Sequence, residues 1–290
     1  MIGMRTKPCP TVIVTRFAPS PTGLLHLGHA YAAMFARHAG KRFLLRLEDI
    51  DTARCRPEYE VAILEDLEWL GLDFERPVPR QSTRMGAYRH ALAVLEARGL
   101  LYPCFCTRKA IAEEIARSVE APHGPDGPIY PGLCRSLDEN ERARRIARGE
   151  AYALRLDAVK AAREAGSLFF EERGAGPNGE TGRIAVQPLL FGDVVLARKE
   201  MPSAYHLAVV VDDNFQGVTL VTRGNDLFAA SHIQRVLQAL LGWPAPAYAH
   251  HRLILDEHGR KFSKRDRAVT LRALRESGVT PEEIRARLSS

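Results

Sequence analysis

Residues 16–29 read RFAPSPTGLLHLGH. The stretch follows an apolar run, Thr11-Val12-Ile13-Val14, with the composition of a short buried strand. Its centre, Pro19-Ser20-Pro21-Thr22-Gly23, is turn chemistry, and a helix begins at Leu27. A strand, a tight turn and a helix N-terminus form a natural receptor for an anion or a nucleotide. His26 and His29 lie three residues apart and so share one face of the first helical turn. Two imidazoles there can donate hydrogen bonds to phosphate oxygens as charge develops.

A second stretch, RKFSKR at 260–265, places Lys261 and Lys264 on either side of Ser263. Asp256, Gly259 and their polar neighbours mark it as a loop. A flexible ammonium suits a pentavalent phosphate transition state, because it can follow the charge as it moves. Taken singly, the histidines read as a helix cap and the lysines as solvated charge. The two stretches together, in this order and near the two ends of the chain, point to adenylate chemistry on a nucleotide-binding α/β fold.

The chain has 290 residues, 46% of them hydrophobic, enough to bury a full core. No apolar run reaches the length of a membrane span; Leu207-Ala208-Val209-Val210-Val211 ends in Asp212-Asp213. The first residues, MIGMRTKPCP, lack the apolar middle of a secretion signal, so a cytoplasmic protein is expected. The net charge of +6 permits a polyanionic partner without demanding one. Arg142, Arg144, Arg145 and Arg148 alternate with Glu139, Glu141 and Glu150, which reads as a solvated helix face. An odd count of five cysteines argues against a disulfide framework, and Cys9 and Cys55 read as ordinary thiols.

The front of the chain alternates strand and helix patterns: strands at 12–17 and 43–47, helices at 27–39, 58–70 and 88–97. This rhythm implies a parallel sheet of the doubly wound, Rossmann-like class. It breaks at 100–200, where cysteines, a Gly/Pro-rich stretch and short strands at 152–156, 184–186 and 193–196 suggest an inserted α+β subdomain. The rhythm returns with strands expected at 205–211, 218–222 and 252–255 and a helix at 227–241. The expected organisation is therefore 10–99 and 201–265 as the two catalytic halves, 100–200 as the insert, and 266–290 as a short helical tail.

Arg16 and Glu48 end the first two strands, and Arg223 ends a later one, with Gly224 allowing close approach. Ligands bind at that edge of an open α/β sheet, and a planar guanidinium suits a carboxylate. Cys104-Phe105-Cys106 and Cys134 offer three thiolates for a tetrahedral zinc ion, with either His123 or Tyr130 as the fourth ligand.

RFAPSPTG, HLGH and KFSKR resemble the catalytic domain of the glutamyl-tRNA synthetase family of class I synthetases, over 16–265. The resemblance implies that His26, His29, Lys261 and Lys264 serve catalysis, and that His26, Gly28, His29 and Lys264 contact ATP, used with Mg²⁺. It implies glutamate binding by Arg16, Phe17, Ala18, Pro19, Ser20, Glu48, Tyr205 and Arg223. A short bacterial relative has a C-x-C and Y-x-x-x-C zinc site, which favours one structural Zn²⁺ on Cys104, Cys106, Tyr130 and Cys134. The chain stops at Ser290, where the family's longer members continue into an anticodon-binding domain. That length resembles truncated paralogues that attach L-glutamate to queuosine in the anticodon loop of tRNA(Asp). A monomer with those partners is expected. The alternatives are a truncated synthetase charging a tRNA 3′ end and a non-catalytic RNA-binding relative. Lys264→Ala is expected to lower glutamate activation roughly a hundredfold or more with little change in glutamate affinity, because the ammonium meets charge chiefly in the transition state. Pyrophosphate-exchange kinetics at varied glutamate read both quantities.

Overall fold

The computed structural model describes residues 12–117, 123–198, 203–255 and 269–289. The apolar run before the Pro/Gly turn forms β1 (Val14–Phe17), buried at every residue. Helix α1 (Leu27–Ala39) crosses over the sheet and returns the chain as β2 (Arg42–Leu45), parallel to β1. Ala30, Ala33 and Ala36 form the buried stripe of α1, and these small side chains let the helix seat close to the strands. The Thr15 hydroxyl beneath it donates to the Ala36 carbonyl at 2.7 Å. Helices α2 (Pro57–Trp69) and α3 (Met85–Ala97) complete this front half.

The middle of the chain builds a separate antiparallel sheet from β3 (Leu101–Cys104), β6 (Ala153–Leu156) and β9 (Val195–Arg198), in the order β3-β6-β9. Between its strands lie α4 (Arg108–Arg117), the short hairpin of β4 (His123–Gly124) and β5 (Gly127–Pro128), α5 (Glu139–Ala147) and α6 (Ala158–Ala165). The arginine-rich stretch is α5, and its charges pair internally: Arg144 and Arg145 with Glu141, Arg148 with Glu150.

Segment 169–185, expected inside the insert, instead extends the main sheet. Its hairpin, β7 (Phe169–Glu172) and β8 (Gly182–Ala185), joins β11 (Ala247–His251) through Tyr248 and Glu172. β11 lies parallel to β10 (Leu220–Gly224). A backbone bond from Thr219 N–H to the Val14 carbonyl (3.0 Å) sets β10 beside β1. Two further expectations are corrected. Residues 205–211 are not a strand; they open helix α7 (Tyr205–Phe215), in which every residue from Leu207 to Asp213 is buried. A helix covered on all sides has no polar stripe, so its sequence reads like a buried strand. The last strand is 247–251 and not 252–255, because its Ala-His-His end is buried polar sequence without an apolar signature.

Helix α8 (Ala230–Leu240) packs on α7, and α9 (Leu271–Glu276) and α10 (Pro281–Ser289) close the fold. Leu271, Ile284 and Leu288 share one apolar cluster with Leu25, Phe43 and Ile63, so the tail belongs to the front half's core. No described helix is long and apolar enough to cross a membrane.

One polar group in this packing is badly served. Asp66 on α2 is fully buried, and neither carboxylate oxygen has a hydrogen-bond donor among the described residues. The nearest cation is Arg275 on α9, 3.8 Å away. Burial pushes the Asp66 carboxyl up to about 6 despite the opposing pull of Arg275 and Arg272. An acid raised in this way favours folding when protonated, and its contribution is lost as pH climbs from the unfolded value through about 6. Asp66→Asn is expected to raise the melting temperature at pH 7.5, by up to about 3 kcal/mol of stability. The gap between variant and wild type should narrow as pH falls below about 6 and close near the ordinary aspartate value of 3.8, as thermal melts across pH will show.

Candidate active site

Beyond β1 the RFAPSPTG segment runs alongside the continuation of β2. Phe17, Pro19 and Pro21 carbonyls accept from the N–H groups of Arg46 (3.1 Å), Glu48 (3.0 Å) and Arg56 (3.0 Å). The pairing brings Arg16 and Glu48 to the same sheet edge. A cleft of about 440 Å³ opens there, lined by Arg16, Phe17, Ala18, Glu48, Tyr205 and Arg223, with Thr222 and Gly224. Pro19 and Ser20 lie in the adjoining turn, where the Ser20 carbonyl accepts from Thr22 N–H at 2.8 Å. A larger cavity of about 550 Å³ sits at the opposite strand ends, beside Ile13, Thr219 and Ala247. It holds none of these residues, and the carboxyl ends of the strands are where such sheets bind ligands.

The cleft floor is a buried charge network. Arg16 Nε and Arg46 Nη1 both donate to Asp213 Oδ1, at 3.0 and 2.8 Å. Arg46 also donates to Gln216 Oε1 (2.7 Å) and to Glu48 Oε1 (3.3 Å). Arg16 and Glu48 thus pair with other partners and not with each other. Burial alone would raise the Asp213 carboxyl, yet the two guanidinia outweigh it and hold it below the ordinary range. For Glu48 burial wins over Arg46 and Arg16, and the carboxyl is raised. Arg16 Nη1 is taken by the Thr222 carbonyl at 2.9 Å, and Nη2 has no partner among the described residues.

Arg223 is held as firmly. Its Nε donates to His250 Nε2 (3.1 Å), Nη1 to Gln234 Oε1 (2.8 Å) and Nη2 to Ser231 Oγ (2.7 Å). Each terminal nitrogen keeps a second N–H for a ligand. Tyr205, at the first turn of α7, is 38% exposed, so its face is open to the cleft. Next to it, burial and the Arg223 charge push the His206 imidazole down to about 4, so it is neutral at physiological pH.

His26 is the N-cap of α1, and its Nδ1 accepts from Gly28 N–H at 3.1 Å. His29 Nδ1 accepts in turn from His26 N–H at 3.2 Å. With both Nδ1 atoms acting as acceptors, each neutral ring carries its proton on Nε2, as a donor. A Cβ at position 28 would come within 3.1 Å of the His26 ring, so glycine lets that ring lie against the helix end. Thr270 bridges to His26, and Leu271 N–H donates to the Leu25 carbonyl at 2.8 Å. The chain after the lysine loop therefore lies against the histidine turn. Lys261 and Lys264 themselves lie outside the described residues.

Away from the cleft, the sulfurs of Cys104, Cys106 and Cys134 lie within 4.8 Å of one another. The Tyr130 hydroxyl is 3.4 Å from the Cys104 and Cys106 sulfurs and accepts from Cys134 N–H at 2.9 Å. A hydrogen bond from Cys134, reinforced by Tyr130 and Arg155 against the effect of burial, brings the Cys104 thiol down to about 4. His123 is exposed on the β4–β5 hairpin. The donor set fits a tetrahedral ion with bonds of ~2.3 Å to sulfur. None of the described cysteines forms a disulfide.

Residues 12–289 match the family of class I tRNA synthetases (E and Q), catalytic domain. The chain belongs to this family. It is 50% identical over 279 residues to the Glutamyl-Q tRNA(Asp) synthetase of Rhodobacter capsulatus, covering 94% of this chain and 98% of that protein. A protein of the same name from Nocardia farcinica is 44% identical, covering 94% of this chain and 83% of the relative. Among solved structures, a glutamate-tRNA synthetase from Elizabethkingia anophelis superposes with a TM-score of 0.70 at 30% identity, over 88% of this chain and 53% of that one.

On this class I synthetase fold, Arg16, Glu48, Tyr205 and Arg223 line the cleft as expected from sequence, whereas its supports, Arg46, Asp212, Asp213, Glu172 and His250, were not expected there. Asp212 receives Gln81 Nε2 (2.9 Å), Arg84 Nε (2.6 Å) and the Tyr88 hydroxyl (2.8 Å), which ties α7 to α3. The one available signal was the pair of acidic residues closing an otherwise apolar run. Purified protein is expected to contain about one zinc ion per chain. Cys106→Ser should lose it and melt at lower temperature, because binding energy at a structural site is folding energy. Elemental analysis paired with thermal melts measures both.

Proposed function

We propose that this ligase activates L-glutamate with ATP, used with Mg²⁺, and transfers the glutamyl group to queuosine in the anticodon of tRNA(Asp). The cleft carries the reading for glutamate: two pre-oriented arginines face one small cavity that also holds a carboxylate and a phenol. Arg16 and Arg223 bind the carboxylates, and Glu48 and Tyr205 receive the ammonium. The α-carboxylate oxygen attacks the α-phosphorus of ATP, forming glutamyl-adenylate and releasing pyrophosphate. The Nε2–H groups of His26 and His29 donate to the phosphate oxygens as charge builds, and the Lys261 and Lys264 ammonium groups add to this. A hydroxyl of the queuosine cyclopentenediol then attacks the acyl carbonyl; its proton is lost and AMP departs. No protein nucleophile is required, since positioning and electrostatics carry the reaction.

Support for the acceptor comes from the relatives named Glutamyl-Q tRNA(Asp) synthetase, one of which this chain matches along 98% of its length. The cysteine and tyrosine cluster holds a structural zinc ion that staples the insert. Glutamate-dependent pyrophosphate exchange is expected without any tRNA. Labelled glutamate should then join queuosine-containing tRNA(Asp) whose 3′ end has been trimmed, and should not join the same tRNA lacking queuosine. Transfer that needs the intact 3′ end and ignores queuosine would instead identify a synthetase charging the terminal ribose.

A further inference from the structure

We infer that Glu172 is a positioning residue for the glutamate cleft, acting through His250 to fix the orientation of Arg223. The inference rests on the proposed role of Arg223 as a carboxylate ligand. Glu172 ends β7, one strand beyond β11, and is 1% exposed. Three donors converge on it. Oε1 accepts from the backbone N–H groups of Gly174 (2.8 Å) and His250 (2.9 Å), and Oε2 lies 2.6 Å from His250 Nδ1. An ionised carboxylate is the one side-chain group that accepts at both oxygens and donates at neither.

That arrangement dictates the His250 tautomer. The Nδ1 proton points at Glu172, so Nε2 is the acceptor, and it receives Arg223 Nε–H at 3.1 Å. Burial, together with the Arg223 charge, favours a neutral ring over the opposing pull of Glu172. The ring has no room to turn: Phe228 meets it edge-on at 5.2 Å, and its side chain is fully buried. Gly174 completes the device. A Cβ there would lie 2.1 Å from the His250 carbonyl oxygen, so only glycine lets the turn after β7 come near enough to donate to Glu172. The result is a three-residue line, Glu172 to His250 to Arg223, that reaches the cleft from the far side of β11.

Glu172→Gln keeps the shape and breaks the logic. If the amide oxygen stays on the two backbone donors, the NH₂ group faces Nδ1 and forces its proton to Nε2, against Arg223 Nε–H. If the amide flips, its NH₂ group faces two backbone N–H groups. The first arrangement takes the acceptor away from the guanidinium; the second keeps the tautomer but sets the amide against two buried backbone donors, one of them His250's own, and so displaces the ring that Arg223 meets.

The test has two parts. Nitrogen-15 spectra of histidine-labelled wild-type protein should show His250 as the Nδ1–H tautomer with Nε2 accepting. A proton on Nε2, or on both nitrogens, overturns the inference without reference to activity. In pyrophosphate exchange, Glu172→Gln should raise the glutamate KM by about tenfold or more, with the ATP KM unchanged. Equal rises in both constants, or an unchanged glutamate KM in folded protein, also overturn it. Arg223→Lys separates the two readings. A raised glutamate KM in that variant alone sinks the role of Glu172, whereas no effect in either variant sinks the role of Arg223 as well.

Discussion

Asp213 accepts two guanidinium groups on one oxygen, and the site depends on that buried junction. Arg16 comes from β1, Arg46 from the residue after β2, and Asp213 from the last turn of α7. The contact therefore joins the front half of the fold to the back half directly beneath the cleft. Such a cluster offers little net stability, since desolvation offsets most of its Coulomb energy. Its geometry is strict all the same. Removing the carboxylate would take from buried Arg16 its acidic partner among the described residues, at a cost of about 3–5 kcal/mol, while Arg46 would keep Glu48 and Asp212. With it in place, Arg16 has one terminal nitrogen turned to the cleft and Glu48 is tethered through Arg46.

The same economy recurs around the cleft. Arg223 is ordered by His250, Gln234 and Ser231, and the two histidines of the α1 cap are ordered by backbone N–H groups on their Nδ1 atoms. Donors fixed before substrate arrives need no reorganisation when charge develops, which is the main route to rate acceleration in a site without a nucleophile. The insert contributes differently. Its cysteine cluster binds together β3, the β4–β5 hairpin and the segment before α5, in a part of the chain with a small core of its own. Arg144 and Arg145 of α5 are paired with that helix's own Glu141 and Arg142 donates to the Arg135 carbonyl, so this basic stretch is a face of the insert with its charges already engaged.

Much of this was legible from sequence, and the limit falls along a physical line. The turn and helix at 16–39, the two histidines and the cysteine spacing are local features. Backbone hydrogen bonds, cap chemistry and i,i+3 geometry connect residues close in the chain, so their identities and spacing already state the structure. The rim of the cleft was readable for the same reason, since Arg16 and Arg223 lie at the ends of β1 and β10 and Glu48 follows β2 by three residues.

Tertiary structure alone decided the rest. Residues 205–211 read as a strand although they open a helix, because Leu207 to Val211 are enclosed on every side, which erases the periodicity that distinguishes helix from strand. The hairpin at 169–185 joined the main sheet through a pairing with β11 that no local pattern announces. Arg46 meets Asp213 across 167 residues of sequence, and Glu172 meets His250 across 78. The sequence by itself determined which groups were available at the sheet edge. Only the folded chain decided which buried partners hold them there, because a hydrogen bond acts over about 3 Å of space and takes no account of distance along the chain.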